Sequence, residues 1–360
     1  MTIVLFLLGL AALILGAEML VRGASRLAAS LGISALVIGL TVVAFGTGSP
    51  ELAVSLGSVL AGQPDIAMGN VIGSNIFNVL FILGLSALIT PLVVSRQLVR
   101  LDVPLMIAVS ALLWLLVWDG RLGRWDGVLL VLGLALYSGF LIVQGRRQGD
   151  VTATPQADAP VARPRRRAWL SNLALVAIGL ILLVLGSRWL VDAAVSFARY
   201  LGVSELVIGL TIIAAGTSLP EVVTSLIAAW RGERDIAVGN VVGSNIFNIM
   251  GVLGLCAVVA PAGISVAPAL LSFDLPLMFV VALACLPIFF TGGKISRQEG
   301  GLLLAYYVAY TLYLILAASH HAALPRFSAV MLYFVVPLTF ITLLVVLARQ
   351  LRHGKDDRLQ

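Results

Sequence analysis

The sequence is short of charge. Of its 360 residues only 11% are Asp, Glu, Lys or Arg, against about 25% in an ordinary soluble domain. Only 17 residues are acidic, so each one inside an apolar stretch carries information. Cysteine is scarcer still. Cys256 and Cys285 lie in apolar segments with no C-x-x-C spacing, which argues against a disulfide or a thiolate metal site and reads as packing. The three histidines, His320, His321 and His353, fall outside the apolar segments, and neither H-E-x-x-H nor G-x-S-x-G occurs. Ser49 in GTGSP therefore has no base to activate it, and no enzyme activity is expected.

What is present is apolar length. Hydrophobic residues make up 60% of the chain and the mean hydropathy is +1.08. That excludes a soluble enzyme, a disordered chain and a fibrous protein. Apolar segments fall at 2–21, 36–61, 69–90, 102–118, 126–144, 169–192, 206–230, 238–260, 272–291, 299–318 and 328–348. Each is long enough for a membrane-spanning helix, and none shows the strict alternation of a transmembrane barrel. The expectation is an all-α polytopic membrane protein with eleven helices. The N-terminal MTIVLFLLGLAALILGAEML lacks a basic start and a small-residue cleavage site, so it reads as a retained first helix.

The net charge of +6 points to membrane topology rather than to nucleic acid. With the N-terminus outside, 18 of the 23 Lys and Arg residues fall in inner loops and the C-terminal tail, and 4 fall outside. The positive-inside rule then places the linker and the C-terminus in the cytoplasm of a cell whose inner membrane holds the chain. The interval 145–168 is polar and rich in Pro, Ala and Arg. It reads as a flexible linker, too short for a calcium-sensing domain.

The chain repeats itself. Residues 39–85 and 209–255 align at an offset of 170 without a gap, and 26 of 47 positions are identical. The shared residues include Thr, Pro, Glu, Asp, Asn and Ser, which apolar composition cannot supply. LDVPLM at 101–106 echoes FDLPLM at 273–278. The unit is five helices, so the second copy enters the membrane from the opposite side. Such inverted repeats build secondary transporters with a site near the bilayer midplane. The expected organisation is a first five-helix repeat over 1–145, a cytoplasmic linker over 146–168, a second repeat over 169–318, and an extra helix with its tail over 319–360.

Glu51 and Glu221 sit inside the second and seventh segments at equivalent positions. A charge at mid-bilayer costs at least about 2.5–3.5 kcal/mol, and neither segment has a Lys or Arg near its centre. A bound cation or a proton would compensate. Each Glu follows a proline, Pro50 or Pro220, which breaks the helix and frees the carbonyls of Gly46 and Gly216. Carbonyls, carboxylates and hydroxyls are the hard oxygen ligands that Na⁺ and Ca²⁺ prefer. Thr47, Glu51 and Ser55 share a helix face, as do Thr217, Glu221 and Ser225. The next helix carries GNVIGSNIFN or GNVVGSNIFN, which puts Ser74 with Asn78, and Ser244 with Asn248, on one face. Asn70, Asn75, Asn240 and Asn245 read as supports that hold the loosened helices. Asp65 and Asp235 read as helix N-caps. Glu18 with Arg22, and Arg188 with Asp192, are spaced as local ion pairs. Two ionised carboxylates balance one Ca²⁺ or two Na⁺, so the two loads would compete for one site.

The two GTxxPE…GSNIFN blocks resemble the α-repeats of the cation/calcium exchanger family, in particular its prokaryotic sodium/calcium exchangers. The resemblance covers residues 1–318. It implies an antiporter that exchanges Na⁺ for Ca²⁺ by alternating access, with the first and sixth helices sliding across the rest. The ligands it implies are the Ala44 carbonyl, Thr47, Glu51, Ser74 and Asn78 from the first copy. From the second copy they are the Ala214 carbonyl, Thr217, Ser218, Glu221, Ser244 and Asn248. Proton-coupled exchange of Ca²⁺ or another divalent cation is the alternative. Neither a cofactor nor an obligate protein partner is implied. Three departures stand out. Gly48 replaces a serine of the family pattern, Asn248 stands where many relatives have Asp, and the eleventh helix exceeds the usual ten.

Overall fold

The computed structural model describes residues 2–152, 166–202, 212, 214–290 and 293–338. Eight continuous helices among these are long and apolar enough to cross a membrane. They are span 1, Thr2–Leu31; span 3, Pro64–Ile89; span 4, Leu98–Leu116; span 5, Arg124–Gly145; span 6, Trp169–Tyr200; span 8, Arg234–Val259; span 9, Leu270–Phe290; and span 10, Arg297–Ala318. Span 2 is a broken pair, Ala35–Thr47 and Ser49–Leu60, bent by 43°. Span 7 is described as the short helix Ala214–Gly216 followed by Leu219–Trp230. The apolar segment at 328–348 begins as the helix Leu324–Leu338, and its remainder lies outside the described residues.

Local chemistry sets the helix boundaries. Ser34 accepts from the Val37 N–H and starts span 2. A capping box between Ser296 and Glu299 starts span 10. The N-cap reading of Asp65 and Asp235 is corrected. The caps are Gln63 and Glu233, and the two aspartates lie in the first turn. In the first copy Pro64 occupies the opening helical position, where its missing N–H does no harm. That places Asp65 inside the helix, where it favours the dipole and accepts from the Ser265 hydroxyl at 2.7 Å. The helix of span 5 continues to Thr152, and the next helix begins at Arg166.

Two very short antiparallel pairings establish which loops share a face. β1 (Leu92–Val93), after span 3, pairs with β4 (Lys294–Ile295), between spans 9 and 10. β2 (Arg121–Leu122), between spans 4 and 5, pairs with β3 (Ile264–Ser265), between spans 8 and 9. Loop 3–4 therefore meets loop 9–10 at one face, and loop 4–5 meets loop 8–9 at the other. That arrangement follows only if the second five-helix unit is inverted relative to the first.

Helix packing repeats the exchange between halves. Span 3 meets span 10 at Gly84 and Gly300, and span 5 meets span 8 at Gly127 and Gly254. Spans 1 and 6 lie on each other along their length. Their backbones touch at Gly9 with Gly186 and at Gly16 with Gly179, where an added Cβ would sit within 3 Å of the partner's backbone. Spans 3 and 8 form the centre: 72% and 89% of their most apolar windows are buried, against 6% for span 10. Cys256 and Cys285 are buried and free, as packing residues should be.

Candidate functional site

The break in span 2 has a local cause. Gly48 leaves the helical range at φ −76° and ψ 1°, and Pro50 opens the following helix. Ser218 does the same ahead of Pro220, at φ −87° and ψ 7°. Each break delivers a glutamate to the first turn of the new helix, and Glu51 and Glu221 are both only 1% exposed. Facing them, spans 3 and 8 switch from α to π geometry at Asn78 and Asn248. Such bulges rotate side chains out of the α pattern and recur at functional sites.

The two repeats support each other through side chains. Asn70 donates to the Glu51 carbonyl at 3.4 Å and to Ser55 Oγ at 3.0 Å, and it accepts from the Thr217 hydroxyl of the other copy at 3.4 Å. Asn240 mirrors it, donating to the Glu221 carbonyl at 3.4 Å and to Ser225 Oγ at 3.0 Å while accepting from Thr47 at 3.1 Å. Asn75 and Asn245 donate to each other's backbone carbonyls, both at 3.3 Å. Their side-chain oxygens accept from the amides of Asn248 and Asn78, at 3.2 and 3.0 Å.

That last exchange orients the amides of Asn78 and Asn248. Both give their N–H groups to an asparagine, so their oxygens are left over. Asn78 Oδ1 and Asn248 Oδ1 are buried without a hydrogen-bond partner, and so are Glu51 Oε2, Glu221 Oε2 and Ser244 Oγ. All five belong to residues singled out from the sequence. A buried acceptor with no donor costs about 1–3 kcal/mol, and more when it is charged. Among the described residues no Lys or Arg forms an ion pair with either glutamate. Buried oxygen acceptors without donors are what a hard cation repays.

Ser218 is buried beside Ser74 and donates to Glu51 Oε1 at 2.8 Å. Thr217 and Asn70 are half-buried, and Thr47 is fully enclosed. The two backbone carbonyls that the resemblance implies differ in what the structure shows of them. The Ala44 carbonyl already accepts the Gly48 N–H at 3.0 Å, leaving one lone pair. Ala214 heads the helix Ala214–Gly216. The carbonyl that Pro220 frees, on Gly216, is not open: the buried Ser187 of span 6 donates to it at 2.7 Å. Sequence reasoning missed Ser187, whose counterpart is Ala17. It also missed the buried, partnerless hydroxyls of Ser86 and Thr224, which correspond to Cys256 and Val54. Comparing the copies flags what they share, and these positions are not shared. Of the two local pairs, Glu18–Arg22 forms, whereas Arg188 and Asp192 are exposed.

Comparison with known proteins identifies the family. The profile of the family described as "Sodium/calcium exchanger protein" matches residues 1–143 and 171–316, one block for each repeat. The chain belongs to that family. This exchanger is 41% identical over 286 residues to the inner membrane protein YrbG of Escherichia coli (strain K12), covering 78% of the chain and 86% of YrbG. It is 33% identical over 338 residues to the sodium/calcium exchanger MaX1 of Methanosarcina acetivorans, covering 85% and 96%. Among solved structures, the sodium-calcium exchanger NCX_Mj superposes with a TM-score of 0.73 at 33% identity, covering 89% of this chain and 99% of that one. The exchanger is thus a multi-pass, all-helical membrane transporter of cations and not an enzyme.

Proposed function

We propose that this exchanger carries Na⁺ and Ca²⁺ in opposite directions by alternating access, with Glu51 and Glu221 as ligands that the two ions share. The observation that carries the reading is the set of five buried oxygens with no donor, two of them carboxylate, contributed by both halves of the chain. Thr47, Ser74, Thr217 and Ser218 add hydroxyl oxygens beside them, and the carbonyls of Ala44 and Ala214 complete the proposed ligand set. Asn70, Asn75, Asn240 and Asn245 hold the broken helices in place. Two carboxylates are neutralised by one Ca²⁺ or by two Na⁺, so the loads exclude each other, which is what coupling requires. The names of MaX1 and NCX_Mj specify sodium and calcium for those proteins. By the distribution of basic residues the N-terminus lies outside and the linker and tail lie in the cytoplasm, with the chain in the inner membrane.

The test is ⁴⁵Ca²⁺ uptake into vesicles under an imposed Na⁺, K⁺ or H⁺ gradient, with Glu51→Gln and Glu221→Gln as controls. Uptake is expected under the Na⁺ gradient and is expected to be lost in both variants. Uptake driven by pH and indifferent to Na⁺ would replace Na⁺ with H⁺ as the coupling ion. Full activity in both variants would remove the carboxylate assignment.

A further inference from the structure

Spans 1 and 6 form a two-helix body lying across the breaks in spans 2 and 7. They pack chiefly on each other, through backbone contact at the paired glycines. Transporters built from inverted repeats work by moving one body against another around a fixed site. Whatever ties this pair to the rest at one face therefore sets the balance between the two access states.

The polar ties differ between counterpart positions at the two faces. At the face where span 7 turns into span 8, Glu18 of span 1 lies between two arginines. One is its own Arg22, and the other is Arg231 at the end of span 7. Two turns further along span 1, the Ser25 hydroxyl donates to Glu233 Oε1 at 2.8 Å. Both contacts join the two-helix body to the 7–8 turn. The repeat predicts what the opposite face would carry. Arg188, Asp192 and Val195 stand for Glu18, Arg22 and Ser25, and Ala61 and Gln63 stand for Arg231 and Glu233. Arg188 and Asp192 are exposed, and the Ala61 side chain offers neither charge nor hydrogen bond. The Glu18–Arg231 pair is partly enclosed, with side chains 20% and 32% exposed.

We propose that Glu18–Arg231 and Ser25–Glu233 form a latch that holds the cation path shut at the 7–8 face, so that the exchanger rests with that face closed. Among the described residues, the counterpart positions at the opposite face make no equivalent side-chain tie. Releasing the latch raises the fraction of molecules open at the 7–8 face. Because apparent affinity scales with the competent fraction, the half-saturating Ca²⁺ concentration at that face falls, while at the other face it stays level or rises. A partly exposed pair supports a shift of about threefold to fivefold.

The proposal rests on the alternating-access reading above, and the experiment separates the two. Half-saturating Ca²⁺ is measured at each face in right-side-out and inverted vesicles, for the unmodified chain, E18Q, R231Q and the double variant. The ratio of the 7–8 face value to the opposite value is expected to fall about threefold to fivefold. The double variant should match the singles, since one contact is removed in all three. R22Q, at a residue whose side chain is 51% exposed, should leave the ratio near its original value. An unchanged or increased ratio, or additive effects, overturns the latch. In a second arm, S25C/E233C is bridged with a short reducible bis-methanethiosulfonate. Exchange should stop and return on reduction, and the buried Cys256 and Cys285 are out of reach of the reagent. Continued exchange by the bridged protein overturns the latch as well. Absence of Na⁺-driven Ca²⁺ uptake in the unmodified chain would instead remove the functional reading beneath it.

Discussion

The two repeats match closely at the acceptors and part company immediately around them. Glu51 pairs with Glu221 and Asn78 with Asn248. In each pair one oxygen is left without a donor in both copies. The asparagine supports are mirrored bond for bond, and so are two more distant locks, Tyr137 to Asp102 and Tyr310 to Asp274, both at 2.8 Å. Around this symmetric centre the hydroxyls are unequal. Ser218 donates to Glu51, whereas its counterpart Gly48 has nothing to donate to Glu221. Ser187 closes the Gly216 carbonyl, whereas its counterpart is Ala17. The aromatic packing differs too. Phe247 lies edge-on to Phe45, with centroids 5.1 Å apart, beside a cavity of about 390 Å³ lined by Gly46, Leu134 and Leu180. Its counterpart Phe77 stacks on Phe81 at 4.7 Å and meets Tyr307 at 5.1 Å. The difference teaches that the two carboxylates are placed alike in both halves, while the hydroxyls and aromatic rings around them are not.

The comparison can be broken at its symmetric part first. E51Q and E221Q should each lower Na⁺-driven ⁴⁵Ca²⁺ uptake by about 100-fold or more, because each removes half the charge that a buried cation needs. A large difference between the two would deny the equality of the glutamates. Next comes the asymmetric hydroxyl. S218A removes a hydrogen bond to a carboxylate, worth about 1.5–3 kcal/mol. A rise of about tenfold or more in half-saturating cation concentration should follow.

The reverse change sharpens the same contrast. An added Cβ at Gly48 would lie 3.0 Å from both the Ala44 carbonyl oxygen and the Phe247 ring. G48S should therefore lower stability by about 1–3 kcal/mol through overpacking, and F247L in the same chain should recover part of that, as read by thermal unfolding in detergent. The smallest expected effects are at the outer locks. Y137F and Y310F should each cost about 1 kcal/mol, and equally. A loss in only one of them would mean that the mirrored bonds do not do mirrored work.

Much of the centre was legible in advance because the background is so apolar. A glutamate, a serine or an asparagine inside a 20-residue hydrophobic run stands out, and the offset of 170 doubles each signal. The broken helices followed from proline chemistry at Pro50 and Pro220. What stayed hidden was whatever lacked a twin or joined distant segments. Ser187 sits 29 residues from the carbonyl it closes, and Arg231 sits 213 residues from Glu18. Neither spacing belongs to any helix period. The N-cap reading of the two aspartates went astray by about two residues, because the helices begin earlier than the acidic residue invites.

By itself the sequence determined that the chain spans a membrane many times, that its halves are inverted copies and that two carboxylates lie where lipid forbids charge. These are consequences of composition, repeat length and desolvation, which act along the chain. Only the tertiary structure decided which oxygens remain without donors. That depends on how four asparagines from two helices share their amides, and every donor spent on a neighbour uncovers an acceptor elsewhere. It also decided that a single face carries the Glu18–Arg231 tie, since such a tie needs two segments far apart in the chain to arrive at the same place.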